Sequence, residues 1–412
     1  MTASPASSTA SGVSARTRPA VAVTRPLTSD IDLNDVAGGD GMLFVRDGVG
    51  LAARGVAARV PVDDAPEVLA AIERDDTVGE PGCGPVAIGV LPFLPGSPAE
   101  LVIPRVVIGK GPDGHRWITT IDGADGDVSP PPAPRPRADA FSVGPATDPR
   151  VFLDAVVVGR DAVRAGELTK VVLARDLRVE CSRPMDVHAI LLRLRASFGS
   201  SYRYSVDGFI GASPELLVAR HGPVVHSHPL AGTSARTGDL ATDARLAAEL
   251  IASMKNQIEH RVVIDVVHDT LLPFASYLDW EPEPSIVTVA NVQHLGTRME
   301  GRLSEPAANV LHLARLLSPT PALGGHPREA AVEMIAAIEG MERGRYGGAV
   351  GWVDSEGNGT WAVAIRCAEL SDDRRVARLF AGCGIVADSD PEAELAETQA
   401  KFQAMLSAIV RA

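Results

Sequence analysis

Apolar positions near the end of the chain recur with a helical period. Leu395, Thr398, Phe402, Met405 and Ile409 share one stripe. Asp390 before Pro391 offers an N-cap side chain followed by proline at the first helical position. The pattern predicts a closing helix over 392–408, entered through a glycine-rich turn at 382–391. Glu394, Glu397 and Lys401 fall beside the stripe, whereas Glu392, Gln399 and Gln403 point away. Charged groups at the edge of a core rarely lack a partner. An ordinary Glu–Lys surface pair explains this helix taken alone.

A second stretch, 243–270, contains neither Gly nor Pro and predicts one long helix or two continuous ones. Around Glu259 the same period gathers Val262, Val263, Val266 and Thr270, with Arg261, Asp265 and His268 on the other side. An unpaired carboxylate within an apolar face costs several kcal/mol, so protonation, a cation or a metal must relieve it. If Glu259 and Glu397 face one cavity, two or three carboxylates with room for water describe a Mg²⁺ site completed by an anionic substrate. A buried Glu–Arg pair is the alternative. Two such helices together favour the metal.

The remaining pattern is rich in strands. Short alternating segments at 41–45, 86–90 and 101–108, punctuated by Gly and Pro, predict antiparallel hairpins. The proline run at 130–136 excludes helix and predicts an extended connector. Beyond it come a helix (151–165), a strand (168–179), a helix (186–197) and a cluster of strands (202–230). After the helical 243–270 stretch, strands are expected at 286–303, 347–353, 360–369 and 376–386, with helices at 307–317 and 328–340. Strands outnumber crossover helices, which points to an α+β fold of large antiparallel sheets flanked by helices, not a doubly wound one. Residues 1–26, rich in Ser, Ala and Thr, are expected to be disordered; their composition is transit-peptide-like but lacks a clear amphipathic helix. Residues 27–148 form a sheet-building part and residues 149–412 the motif-rich remainder.

Composition narrows the partners. A chain of 412 residues with 45 % hydrophobic content can bury a large core. A net charge of −13 argues against nucleic acid and anionic membranes. Four scattered cysteines without a CxxC pair argue against zinc and a disulfide framework, and fit a reducing, cytoplasmic setting. No apolar run approaches the ~18 residues of a membrane span.

Several strand-borne polar residues add chemistry. Lys170 lies in Leu168-Thr169-Lys170-Val171-Val172-Leu173-Ala174, apolar on both faces and so expected to be central. Desolvation there lowers a lysine pKa towards that of a base, unless the side chain snorkels from the strand end. Glu215 opens an apolar strand after Ser213-Pro214, where burial favours the protonated form a general acid needs. His294, in Val292-Gln293-His294-Leu295, fits a satisfied core histidine. His226 and His228 have metal-like spacing but no third ligand.

These blocks carry a resemblance. Lys170-Val171-Val172-Leu173-Ala174-Arg175, Ser213-Pro214-Glu215, Pro229-Leu230-Ala231-Gly232-Thr233, Glu259-His260, Val292-Gln293-His294-Leu295 and Pro319 to Gly325 stand in order along the chain. Gly382-x-Gly384-Ile385-Val386 with Glu394-x-x-Glu397-x-x-x-Lys401 completes the set. Over roughly residues 150–410 the chain resembles the chorismate-utilising enzymes. These include isochorismate synthases, salicylate synthases and the large subunits of anthranilate and aminodeoxychorismate synthases. The resemblance implies one compact α+β unit that includes the first third, with the proline run as a surface connector.

It also implies roles. Lys170 would deprotonate the water that attacks C2 of chorismate, and Glu215 would protonate the departing C4 hydroxyl. Glu259 and Glu397 would hold Mg²⁺ against the ring carboxylate, with Glu394 acting through water. Arg366 and Tyr346 would take the enolpyruvyl carboxylate. Gly232, Thr233 and Lys401 would lie near the metal-bound carboxylate, and His294, Ala322, Leu323 and Gly382 would complete the cavity. Ala322, with Ile365 and Phe380, matches members that stop at isochorismate, whereas Tyr346 leaves pyruvate-lyase activity, as in salicylate synthases, open. Lys170 argues against the ammonia-using subunits and their amidotransferase partner. Asn256 stands where several relatives carry a second acid. A monomer acting on chorismate is expected, supplying siderophore or menaquinone synthesis; a non-catalytic chorismate-binding protein would lack the acid–base pair.

Overall fold

A computed structural model describes residues 20–126, 138, 140–289 and 292–412. Among them the backbone forms sheets of 13, 9 and 3 strands. Adjacent strands pair antiparallel throughout these sheets, except where Val21–Pro26 runs parallel to Glu73–Asp76. The expected α+β class with large antiparallel sheets is what the chain adopts.

Hairpin chemistry explains much of this. Asp47-Gly48 and Asp207-Gly208 each hold positive φ at both positions, the backbone that two-residue hairpins require. They join Met42–Arg46 to Val49–Arg54, and Tyr202–Val206 to Phe209–Ser213. The segment expected as one strand at 101–108 is divided into Glu100–Ile103 and Val106–Lys110, because Pro104 interrupts it. Val21–Pro26 is a strand, which corrects the expectation of disorder across 1–26 for this part. The proline run lies outside the described residues.

The larger sheet interleaves both parts of the chain. Met42–Arg46 pairs with Tyr202–Val206, so strands of the first third continue a sheet built from residues beyond 140. The two large sheets face one another across an aromatic core. Phe44, Trp117, Tyr204 and Phe209 from one meet Ile88, Val350 and Trp352 from the other. Helices cover the outer faces. Leu33–Ala37, Val187–Phe198 and Pro391–Val410 pack on the larger sheet. Met254–Leu271 packs mainly on the three-stranded sheet, and Val310–Leu317 on the nine-stranded one. Among the described residues no helix is long and apolar enough to cross a membrane. All four cysteines are buried and free.

Two helical details differ from expectation. Ser253 ends Leu240–Ala252 and caps Met254–Leu271, dividing the 243–270 stretch. The core stripe of the second helix is His260, Val263, Ile264, Val267 and Leu271. It is turned by one position from the stripe expected around Glu259, because the buried His260 finds Thr297 Oγ1 at 2.8 Å. Glu259 therefore stands at the edge of the apolar face, not in its middle.

Candidate active site

Two crossings between the large sheets create the site. The chain leaves Phe209–Ser213 of one sheet and enters Leu216–His221 of the other through Pro214 and Glu215. It returns from Gly359–Val363 to Cys367–Leu370 through Ala364, Ile365 and Arg366. The crossings are hydrogen-bonded to each other: Val363 N–H donates to Glu215 C=O at 3.1 Å, and Ala212 N–H to Arg366 C=O at 3.1 Å. Arg366 takes φ 53°, a left-handed conformation uncommon outside glycine, and so turns its side chain into the seam.

A cavity of about 290 Å³ opens there. Every residue expected in the site lines it: Lys170, Glu215, Gly232, Thr233, Glu259, His294, Ala322, Leu323, Tyr346, Arg366, Gly382, Glu394, Glu397 and Lys401. They come from strands of the 13-stranded and three-stranded sheets, two helices and several connecting segments, separated by up to 231 residues from Lys170 to Lys401.

Lys170 is the first residue of Lys170–Cys181 and is only 5 % exposed, so it does not snorkel to water. Its Nζ donates to Glu259 Oε1 at 2.5 Å. Gly384 makes room for this pair, since a Cβ there would lie 2.5 Å from Lys170 Cε and 3.2 Å from Glu259 Oε1. Burial pushes the Glu259 carboxyl up, but the Lys170 charge and hydrogen bond outweigh it and the net shift is down.

Glu215, 3 % exposed, lies on another wall. Burial raises its pKa to about 8, against a small opposing pull from the Leu230 N–H 3.4 Å away. This carboxyl holds its proton at neutral pH. The cavity thus combines an amine with a protonated acid on separate elements.

On the closing helix, Lys401 Nζ bridges Glu397 at 2.7 Å and the Gly382 carbonyl at 2.8 Å. Burial and the nearby Glu397 charge push the Glu394 carboxyl up, even though Ser389 and Cys383 favour its charged form. Tyr346 stacks on Phe380 with centroids 5.1 Å apart, and burial holds its phenol protonated. Burial, then the Arg366 and Lys401 charges, push the His294 pKa down to about 3, leaving a neutral ring.

The donor chemistry of the carboxylates fits a hard divalent cation. Glu259, Glu394 and Glu397 are hard oxygen donors on two helices lining one cavity, suited to an ion that keeps waters and accepts substrate oxygens. Among the described residues no three His, Cys, Asp or Glu side chains gather closely enough to hold an ion by themselves. Asn256 lines the cavity but bonds Ser253 Oγ at 2.9 Å as part of the helix cap. His226 and His228 lie elsewhere; His226 pairs with Glu300 at 3.6 Å.

Lys255 and Cys383, for which the sequence suggests no role, also line the cavity, as does Gly384 of the glycine motif. Lys255 stands one helical turn before Glu259, a spacing legible in the sequence. Behind the wall, Glu339 and Arg343 form a fully buried pair at 2.5 Å. Glu339 accepts the Ala174 N–H, while Arg343 donates to the carbonyls of Val172 and Leu323.

An antiparallel sandwich with an acid, an amine and facing carboxylates at its seam defines a chorismate binding enzyme; that family's model matches residues 122–410, and the chain belongs to it. The MenF protein of Mycobacterium tuberculosis is 41 % identical over 343 residues, 80 % of this chain and 87 % of that one. Isochorismate synthase DhbC of Bacillus subtilis is 37 % identical over 336 residues, 79 % of this chain and 81 % of its own. The solved structure of the menaquinone-specific isochorismate synthase MenF from Escherichia coli superposes with a TM-score of 0.81. It covers 95 % of this chain and 94 % of that one at 24 % identity, a likeness of fold.

Proposed function

We propose that the chain isomerises chorismate to isochorismate. The observation that carries this reading is the convergence of Lys170 and the protonated Glu215 on one cavity with the carboxylates of two helices. Lys170 takes a proton from the water whose oxygen bonds to ring C2. The two ring double bonds shift, the C4–O bond breaks, and Glu215 gives its proton to the leaving hydroxide, which departs as water. Lys170 ends protonated and Glu215 ionised, and proton exchange with solvent restores both. One water is consumed at C2 and one released at C4, so substrate and product are isomers.

Arg366 suits the enolpyruvyl carboxylate as a planar fork, aided by the Tyr346 hydroxyl. Thr233 and Lys401 serve the ring carboxylate. When bound, Mg²⁺ on Glu259 and Glu397, with Glu394 through water, supplies charge neutralisation and orientation for that carboxylate.

Ala322 in the cavity wall supports stopping at isochorismate, and Lys170 supports water over ammonia as nucleophile. In this reading the chain acts as a cytoplasmic monomer without an amidotransferase partner, and its product supplies siderophore or menaquinone synthesis. Incubation with chorismate and Mg²⁺, without ammonia, followed by chromatography tests it. Isochorismate is the expected main product. Salicylate with pyruvate, or an aminated product that requires ammonia, rejects it.

A further inference from the structure

His294 lies between two partners whose hydrogen-bonding roles cannot be exchanged. Its Nδ1 is 3.3 Å from the Gly232 carbonyl oxygen and 3.1 Å from Thr233 Oγ1. Its Nε2 is 3.4 Å from Nη2 of Arg366. A carbonyl oxygen only accepts, and a guanidinium only donates. Both ends therefore demand the same ring, with the proton on Nδ1 and the lone pair on Nε2. The opposite tautomer would set two lone pairs together at Gly232 and two N–H groups together at Arg366. Thr233 Oγ1 then accepts from Nδ1–H and keeps its own proton free to donate into the cavity.

The backbone of Arg366 directs its side chain into the seam, and His294 meets the guanidinium there. Its backbone is in the left-handed region, and its Nε is buried with no hydrogen-bond partner. Among the described residues, His294 Nε2 is the side-chain acceptor that meets its guanidinium. Gly232, Thr233 and His294 belong to paired strands of the small sheet, with Thr233 directly opposite His294. The chain Gly232–His294–Arg366 thus ties that sheet to the crossing that carries Arg366.

We propose that His294 is a positioning residue: locked as the Nδ1–H tautomer by the Gly232 carbonyl, it orients the Arg366 guanidinium toward a substrate carboxylate and transfers no proton itself. Both ring nitrogens are committed, so none is left to act as acid or base. The inference rests on the chorismate reading only for the identity of that carboxylate.

Two measurements test it. In protein with ¹⁵N-labelled histidine, without substrate, the His294 signal, assigned by its loss in His294→Leu, shows a protonated Nδ1 and an unprotonated Nε2. The reverse pattern overturns the proposal, and this arm involves no activity. In kinetics with chorismate, His294→Leu raises KM about 10- to 100-fold, the range of a hydrogen bond to a charged group, with the smaller loss in kcat. His294→Leu adds little further loss in an Arg366→Met background, because the two act as one unit. His294→Gln, whose amide oxygen accepts from Arg366, recovers most of the affinity and serves if the leucine variant does not fold. A loss confined to kcat, or effects that multiply in the double variant, overturns the role. Failure of the unaltered chain to make isochorismate overturns the reaction instead, and leaves the tautomer result standing.

Discussion

Lys170 Nζ lies 2.5 Å from Glu259 Oε1, joining a strand one place in from the edge of the larger sheet, not at its centre as expected, to a helix that walls the cavity. One contact thus couples the proposed base to a proposed metal carboxylate. Removing the amine deletes the base and leaves a partly buried carboxylate without its counterion.

Lys170→Ala is expected to lower turnover about 10²- to 10⁴-fold, the usual range for a general base, while chorismate still binds. Steady-state kinetics alongside calorimetric titration with chorismate check this. Unchanged turnover removes Lys170 from the mechanism.

Glu215 sets the alkaline limit. Its pKa of about 8 means the acid is protonated below that value and lost above it, so kcat/KM falls as pH rises through about 8. Glu215→Gln, with no proton to donate, loses activity together with that limb. The same shift touches stability. The folded chain binds this proton more tightly than the unfolded one, whose value is near 4.5. The stabilisation is complete below that lower value and fades as pH rises through about 8. Urea titrations of the two proteins across that window separate the effects.

Glu339 and Arg343 are 1 % and 2 % exposed and hold the backbone of Val172, Ala174 and Leu323. Arg343→Met leaves a buried carboxylate unpaired and is expected to destabilise the fold by about 3–5 kcal/mol. Glu339→Gln with Arg343→Met removes both charges and is expected to be milder than the single change. Thermal denaturation of the three proteins checks the order.

Glu397 is expected to matter through the ion. Chelation with EDTA abolishes turnover and added Mg²⁺ restores it. Glu397→Gln raises the Mg²⁺ concentration needed for half-maximal rate, read directly from Mg²⁺ titrations.

Most of the site was legible because each block carried its own local signature. Asp390-Pro391 starts the closing helix as expected, and Thr398, Phe402, Met405 and Ile409 are buried on its core face. Lys170 and Glu215 were recognisable as polar residues at the start of apolar segments, and the structure places Lys170 first in its strand and Glu215 just before one. What sequence periodicity missed was tertiary. The face of Met254–Leu271 is set by His260 reaching Thr297, a partner 37 residues away, and no helical period encodes that contact. Arg366 owes its aim to an inter-sheet crossing and to His294, which no spacing along one strand reveals. The pairing of Glu259 with Lys170 joins residues 89 apart in sequence and depends on Gly384 leaving space.

The most direct test of the proposed reaction is to run it in ¹⁸O-enriched water, stopped early and analysed by mass spectrometry. Addition of water at C2 with loss of the C4 hydroxyl predicts isochorismate carrying one heavy oxygen, located at C2. Unlabelled isochorismate would mean that the hydroxyl migrates without solvent, and would contradict the roles given to Lys170 and Glu215.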